Sequence, residues 1–323
     1  MKIVFFGTPE YVVPILDKLH KTFRGKIGES PIAAVFTQPP KPVGRKQQLE
    51  YSPVDKWAYK KKVKIVTEVT ELLKEENRAD LGIVAAFGKI IPKEVINLFP
   101  KGILNIHPSL LPKWRGASPI QATILSGDRE TGVTIIKVDE LMDHGPILSQ
   151  FKEEVLDQDT SETLRSRLFK TASRVLITLL PAYLSGKITA RRQDHSKATY
   201  TKLLKKDHGF IPPEYLEAVL NGKELNKKWP ISFIKNYSLL PSAYSLERFI
   251  RAMQPWPGAW TLLHPAKRDY GGQAKRLKIL KVHLEKQLPS ALCLVPELVQ
   301  LEGKNPVSWN QFRLAYPQAR FAN

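Results

Sequence analysis

The chain has 323 residues, 42% hydrophobic and 25% charged, which excludes a disordered or fibrous protein and favours two globular domains. No apolar run reaches the roughly 18 residues of a membrane span, and Met1 to Glu10 turns polar too soon for a signal peptide, so a cytoplasmic protein is expected. The formal net charge of +19 is too large for indifference to polyanions, because each phosphate neutralised by Lys or Arg releases counterions; nucleic acid is the expected partner.

In chain order, Lys2 to Phe6 reads as a buried strand, and Glu10 to Phe23 carries Val12, Val13, Leu16 and Leu19 at helical spacing. Four more apolar runs follow as strands: Ile32 to Phe36, Val63 to Val66, Leu81 to Phe87 and Gly102 to His107. Strands alternating with helical stretches predict an α/β domain, a Rossmann-like and mostly parallel sheet with helices on both faces. Ligands in such sheets sit beyond the C-terminal strand ends. The stretch from Gly132 is a further strand, and Gly145 to Val155 pairs with it as a hairpin across the turn Asp143-His144-Gly145. Thr160 to Leu184 reads as a long helix closing this domain.

A polar, basic stretch from Gly186 to Gly209 breaks the pattern. It marks a linker, residues 190–209, between a first domain of residues 1–189 and a second of 210–323. Residues 1–189 hold 28 basic and 21 acidic side chains, residues 190–323 hold 22 and 10, so the shorter part is the more basic. In the second domain Tyr244 to Met253 looks helical. Three strands without intervening helices then suggest a small antiparallel OB-like β-barrel or sandwich, and Ser308 caps a short helix near the end.

Asn105 and His107, two apart at a strand end, point to one face. A carboxamide beside an imidazole can donate to an oxygen that turns negative in a transition state. A strand-end Asn serving a turn, with a half-buried His bonded locally, explains the pair equally well. Asp143, in a turn after a strand and expected at the C-terminal sheet edge, adds a carboxylate that could hold His107 and pass a proton; it also suits a plain turn. Gly7-Thr8-Pro9 lacks both G-x-G-x-x-G and G-x-x-x-x-G-K-[ST], which argues against nicotinamide, flavin and NTP chemistry. The connection Thr37 to Pro53 is long and carries Lys41, Arg45 and Lys46, suiting either contact with a polyanion or simple solvation. One cysteine, Cys293, excludes an internal disulfide, and seven scattered histidines lack ligand spacing, so no metal is expected.

The stretches FFGTPEY, VFTQPPKPVGR, VAAFGKIIP, LNIHPSLLPKWRGASPIQ and GDRETGVTIIKVDELMDHGPIL resemble the formyltransferases that use 10-formyltetrahydrofolate. QDHSKATYTK, IRAMQPWPGAW and VQLEGKNPVSW resemble the branch of that family acting on charged tRNA. The resemblance implies transfer of the formyl group of 10-formyltetrahydrofolate to the α-amine of methionyl initiator tRNA, with no metal, by a monomeric enzyme of translation initiation. It further implies an oxyanion held by Asn105 and His107, with Asp143 holding His107 and helping to take the amine proton. By the same resemblance Phe87, Gly88, Ile90, Ser109, Leu110, Leu111 and Pro112 would line the folate pocket. Arg45, with Lys41 and Lys46, would reach the acceptor end, and the basic barrel, with Lys267, Arg268, Lys275 and Arg276, would hold the stem. This chain has Asp143-His144-Gly145-Pro146 where tRNA enzymes of the family commonly have Asp-Thr-Gly-Asp. Formyl transfer to a small amine such as glycinamide ribonucleotide or an amino sugar, hydrolysis of formyl-folate, and RNA binding on an inactive formyltransferase-like domain are the alternatives.

Overall fold

The computed structural model describes residues 1–25, 29–44, 47–72, 74, 78–265, 273–287 and 291–322. They form two compact units: residues 1–116, 130–154 and 165–199, and residues 117–129, 155–164 and 200–323. Within the expected linker, residues 190–199 therefore belong to the first unit and 200–209 to the second.

The first unit is built on seven strands, β1 (Ile3–Phe6), β2 (Ile32–Phe36), β3 (Lys64–Val66), β4 (Leu81–Val84), β5 (Ile103–His107), β6 (Glu130–Lys137) and β7 (Ile147–Glu154). Their order across the sheet is β7-β6-β5-β4-β1-β2-β3. The strands from β3 to β5 are parallel, while β6 runs antiparallel to both β5 and β7. The order therefore reverses on either side of β1, as in half of a doubly wound sheet. The continuous apolar runs follow from burial on both faces: every residue of β1 and β4 is buried. Alternate residues serve opposite faces. Val4 and Phe6 join Phe36, Val84, Phe87, Phe99 and Ile103 in one core cluster. Gly7 follows β1 because a Cβ there would lie 2.6 Å from the Phe5 ring and 2.8 Å from the Ala85 carbonyl oxygen.

The long connection after β2 is not structureless. It contains an antiparallel pair, Lys41–Val43 with Gln48–Glu50, turning at Gly44, whose φ is +71°. The helix Pro53–Lys61 follows it, with Ser52 Oγ accepting from the Asp55 N–H at 3.0 Å.

In the second unit an antiparallel sheet runs in the order Val307–Ser308, Ala291–Leu301, Lys275–Gln287, Ala259–His264, Arg320–Phe321. The helix Ala243–Met253 buries Leu246, Phe249, Ile250 and Met253, the single apolar stripe that its sequence period predicts. Ser308 caps Trp309–Ala315 as expected, its Oγ accepting from the Gln311 N–H at 3.2 Å.

Candidate active site

Strand β5 carries the first two site residues. Asn105 is half-buried and His107 is 4% exposed; their spacing of two sends both side chains to one face. Asp143 meets them, though not by the expected route. Because β6 is antiparallel to β5, with His107 opposite Thr134 and Leu104 opposite Lys137, β6 ends beside the beginning of β5 rather than at its C-terminal edge. The connection from Val138 to Pro146 then returns Asp143 to the face bearing Asn105 and His107.

Asn105 Nδ2 donates to Asp143 Oδ1 at 2.9 Å, and the Gly116 N–H donates to Oδ2 at 2.8 Å. His107 Nδ1 lies 3.6 Å from the same Oδ1, while its Nε2 lies 3.1 Å from the Trp114 carbonyl oxygen. A carbonyl only accepts, so Nε2 carries hydrogen and Nδ1 faces the carboxylate. The 3.6 Å gap exceeds a direct hydrogen bond, and such contacts tighten when substrate excludes water. Asp143 and Trp114 both have left-handed backbones, φ +51° and +59°. For residues with a Cβ this conformation costs on the order of 1 kcal/mol each and persists only where surroundings impose it.

The residues expected to line a folate pocket separate into two groups. Ser109 and Leu111 are buried, and Leu110 and Pro112 half-buried, directly after β5. Thr134 Oγ1 donates to the Ser109 carbonyl at 2.6 Å and accepts from the Leu111 N–H at 3.1 Å, while Gln150 Nε2 donates to the Leu111 carbonyl at 3.0 Å. These bonds fix the segment as a rigid wall. After β4, the Phe87 ring is only 3% exposed and packs 5.0 Å from Phe36 and 5.7 Å from Phe6, so Phe87 can meet a ligand only through its main chain. Gly88 has φ +75° and Ile90 is 80% exposed.

Of the basic residues expected to meet tRNA, Lys41 is exposed and donates to Gln38 Oε1 at 2.8 Å. Lys275 and Arg276 are half-buried at the start of a strand, and the Arg276 guanidinium lies 4.2 Å over the Trp260 ring, a cation–π contact. Arg45, Lys46, Lys267 and Arg268 lie outside the described residues.

Sequence reasoning missed the groups around Asp143. Arg115, 2% exposed, donates through Nε (3.2 Å) and Nη2 (2.7 Å) to Gln193 Oε1. Gln193 Nε2 donates in turn to the carbonyls of Asp143 (2.9 Å) and Gly145 (2.8 Å). Arg115 Nη2 also reaches His195 Nδ1 at 2.8 Å, and the His195 ring stacks on His144 with centroids 4.0 Å apart. Arg115 has no acceptor atoms, so His195 Nδ1 accepts and the ring is neutral. Burial first, then His144 and Arg115, push its pKa below the ordinary histidine value. Their signals were Arg115 just after the expected pocket wall and the stretch QDHSKATYTK, which holds Gln193 and His195 and was read for its resemblance alone. Among the described residues no group of three or more His, Cys, Asp or Glu could hold a metal ion, and no helix is long and apolar enough to cross a membrane.

Residues 1–180 match the family model described as formyl transferase, and residues 240–293 match its C-terminal domain. The methionyl-tRNA formyltransferase of Pelagibacter ubique is 33% identical over 97% of this chain and 95% of its own. That of Buchnera aphidicola is 36% identical over 82% and 76%. Among solved structures, the methionyl-tRNA formyltransferase from Clostridium thermocellum superposes with TM-score 0.52 at 18% identity, over 92% of this chain and 99% of that one. The N-formyltransferase from Helicobacter canadensis in complex with folinic acid and dTDP-3-aminofucose gives 0.61 at 15% identity, over 92% and 98%. At these identities the two structures speak for the fold alone.

Proposed function

We propose, from the premise that this chain belongs to the methionyl-tRNA formyltransferases, that Asn105, His107 and Asp143 carry the transfer of a formyl group to the α-amine of methionyl initiator tRNA. Formyl-folate is the donor of the family, and 10-formyltetrahydrofolate is the form we assign. The convergence of a carboxamide, an imidazole and a carboxylate on one face of β5 is the observation that carries this reading.

The methionyl amine attacks the formyl carbon, and the carbonyl oxygen becomes an oxyanion. Asn105 Nδ2 has two hydrogens; one is committed to Asp143 Oδ1, which leaves the other for that oxyanion. His107 stands beside it, oriented by its bond to Trp114. The amine proton passes towards the His107 Nδ1 and Asp143 pair, which returns a proton to the folate nitrogen as its bond to carbon breaks. A model α-amino group has a pKa of about 7.7 to 8.0, so a useful fraction, roughly a tenth to a sixth, is already neutral near pH 7. Preorganised donors then supply the larger share of the rate. The Ser109–Pro112 wall is apolar with main-chain polar groups, a surface suited to a flat pterin. We assign catalysis to residues 1–189 and tRNA contact to the basic 210–323 domain together with Lys41, Arg45 and Lys46, in a monomeric cytoplasmic enzyme that needs no metal.

The test is transfer of labelled formyl from 10-formyltetrahydrofolate, offered methionine-charged initiator tRNA, glycinamide ribonucleotide, or no acceptor. Label on the tRNA is expected. Label on the small amine, or release as formate alone, would overturn the account of the basic half.

A further inference from the structure

Gln193 lies in QDHSKATYTK, a motif to which the mechanism above gives no part, and its side chain is 5% exposed. Its amide can sit only one way round. Arg115 donates to the oxygen through two nitrogens, and the –NH2 group faces two carbonyl oxygens that can only accept. Both carbonyls belong to the turn bearing Asp143, and Asp143 itself holds a left-handed backbone. The turn is confined from its other side as well, since a Cβ on Gly145 would lie 1.8 Å from the Lys137 carbonyl oxygen.

The dipeptide Arg115-Gly116 therefore grips Asp143 twice. The Gly116 N–H holds the carboxylate directly, while the Arg115 side chain holds the backbone through Gln193. Gln193 spends both amide hydrogens on the carbonyls of the turn, and Arg115 holds the other end of that amide, so the pair acts on the site by way of the turn. We propose that Gln193, anchored by Arg115, is a positioning residue that aims the Asp143 carboxylate at His107 and the incoming amine. The proposal rests on the catalytic role assigned to Asp143. Groups that orient a functional side chain in this way typically cost ten- to a hundredfold in activity when removed from metal sites, and a comparable loss is expected here because reactive geometry tolerates little displacement.

The test uses the full-length enzyme and compares Gln193→Met, of similar length without donors, with Gln193→Glu, which keeps an acceptor for Arg115 but loses both donors to the turn. Both are expected to lower kcat at least tenfold, with KM for tRNA and for folate within about twofold of wild type and a displaced pH–rate profile. Asp143→Asn and the double variant Asp143→Asn/Gln193→Met are measured alongside. Because Gln193 acts through Asp143, the double variant is expected to be no slower than Asp143→Asn alone. Wild-type kcat in either folded Gln193 variant, or multiplicative losses in the double variant, would overturn the positioning role while leaving Asp143 in place. Near-normal kcat in Asp143→Asn would instead overturn the catalytic reading and this inference with it. Should Gln193→Met not fold, Gln193→Glu and the double variant Asp143→Asn/Gln193→Glu decide by the same criteria.

Discussion

Asn105 commits one amide hydrogen to the Asp143 carboxylate; if the other meets the developing charge, as proposed, its loss should be felt in the transition state more than in binding. Asn105→Ala is expected to lower kcat by about 100- to 1000-fold, the effect of losing one oxyanion donor, with KM for both substrates little changed. Steady-state kinetics with charged initiator tRNA checks this, and an unchanged kcat would remove Asn105 from the mechanism. Asp55 poses a different question. It is 7% exposed in the first turn of Pro53–Lys61, and burial raises its pKa against a smaller lowering by Lys56. The folded state then binds this proton more tightly than the unfolded chain does. Its contribution to stability is therefore present below the unfolded pKa and is lost as pH rises through the raised folded value. Asp55→Asn is expected to raise Tm at neutral pH and not in acid, as thermal unfolding across pH would report; a gain of equal size at every pH would assign the effect to something other than ionisation. Asn105 and His107 were legible because a strand's period is two. Gln193 was not, since nothing local distinguishes a glutamine that reaches across 50 residues to a turn.

At the scale of elements, strand runs and helix caps were readable because burial on both faces demands continuous apolar sequence and open helix ends demand side-chain acceptors. Strand direction was not. β6 is apolar like its neighbours, and its antiparallel pairing with β5 moves its end to the opposite side of the sheet from the one expected. The connection from Thr37 to Pro53 shows the converse, a stretch read only as long and basic that holds a two-stranded pair. Arg45 lies between those two strands in sequence and outside the described residues. If it reads the acceptor end, Arg45→Ala should lower kcat/KM for initiator tRNA by roughly tenfold or more, the loss of one charge-assisted hydrogen bond, and should narrow the discrimination against elongator tRNA. Comparison of the two charged tRNAs decides it; equal losses on both would reduce Arg45 to a phosphate contact.

For the whole molecule the net charge of +19, concentrated in residues 190–323, is the dominant long-range feature. An interface making 6 to 10 phosphate contacts loses about 10³- to 10⁵-fold in affinity between 50 and 200 mM salt. KM for tRNA is therefore expected to climb steeply over that range while kcat at saturation changes little, and a flat response would separate the charge from the substrate. Net charge, the β5 pair and the run of strands are properties of composition and short-range order, so the amino-acid sequence by itself determined the α/β class, the expectation of a polyanionic partner and the placing of Asn105 and His107 on one face of a strand. Only the tertiary structure decided how Asp143 reaches that face, that the Phe87 ring belongs to the core, and that Arg115 and Gln193 hold the turn. These depend on strand direction and on contacts between residues far apart in the chain, which no local periodicity encodes.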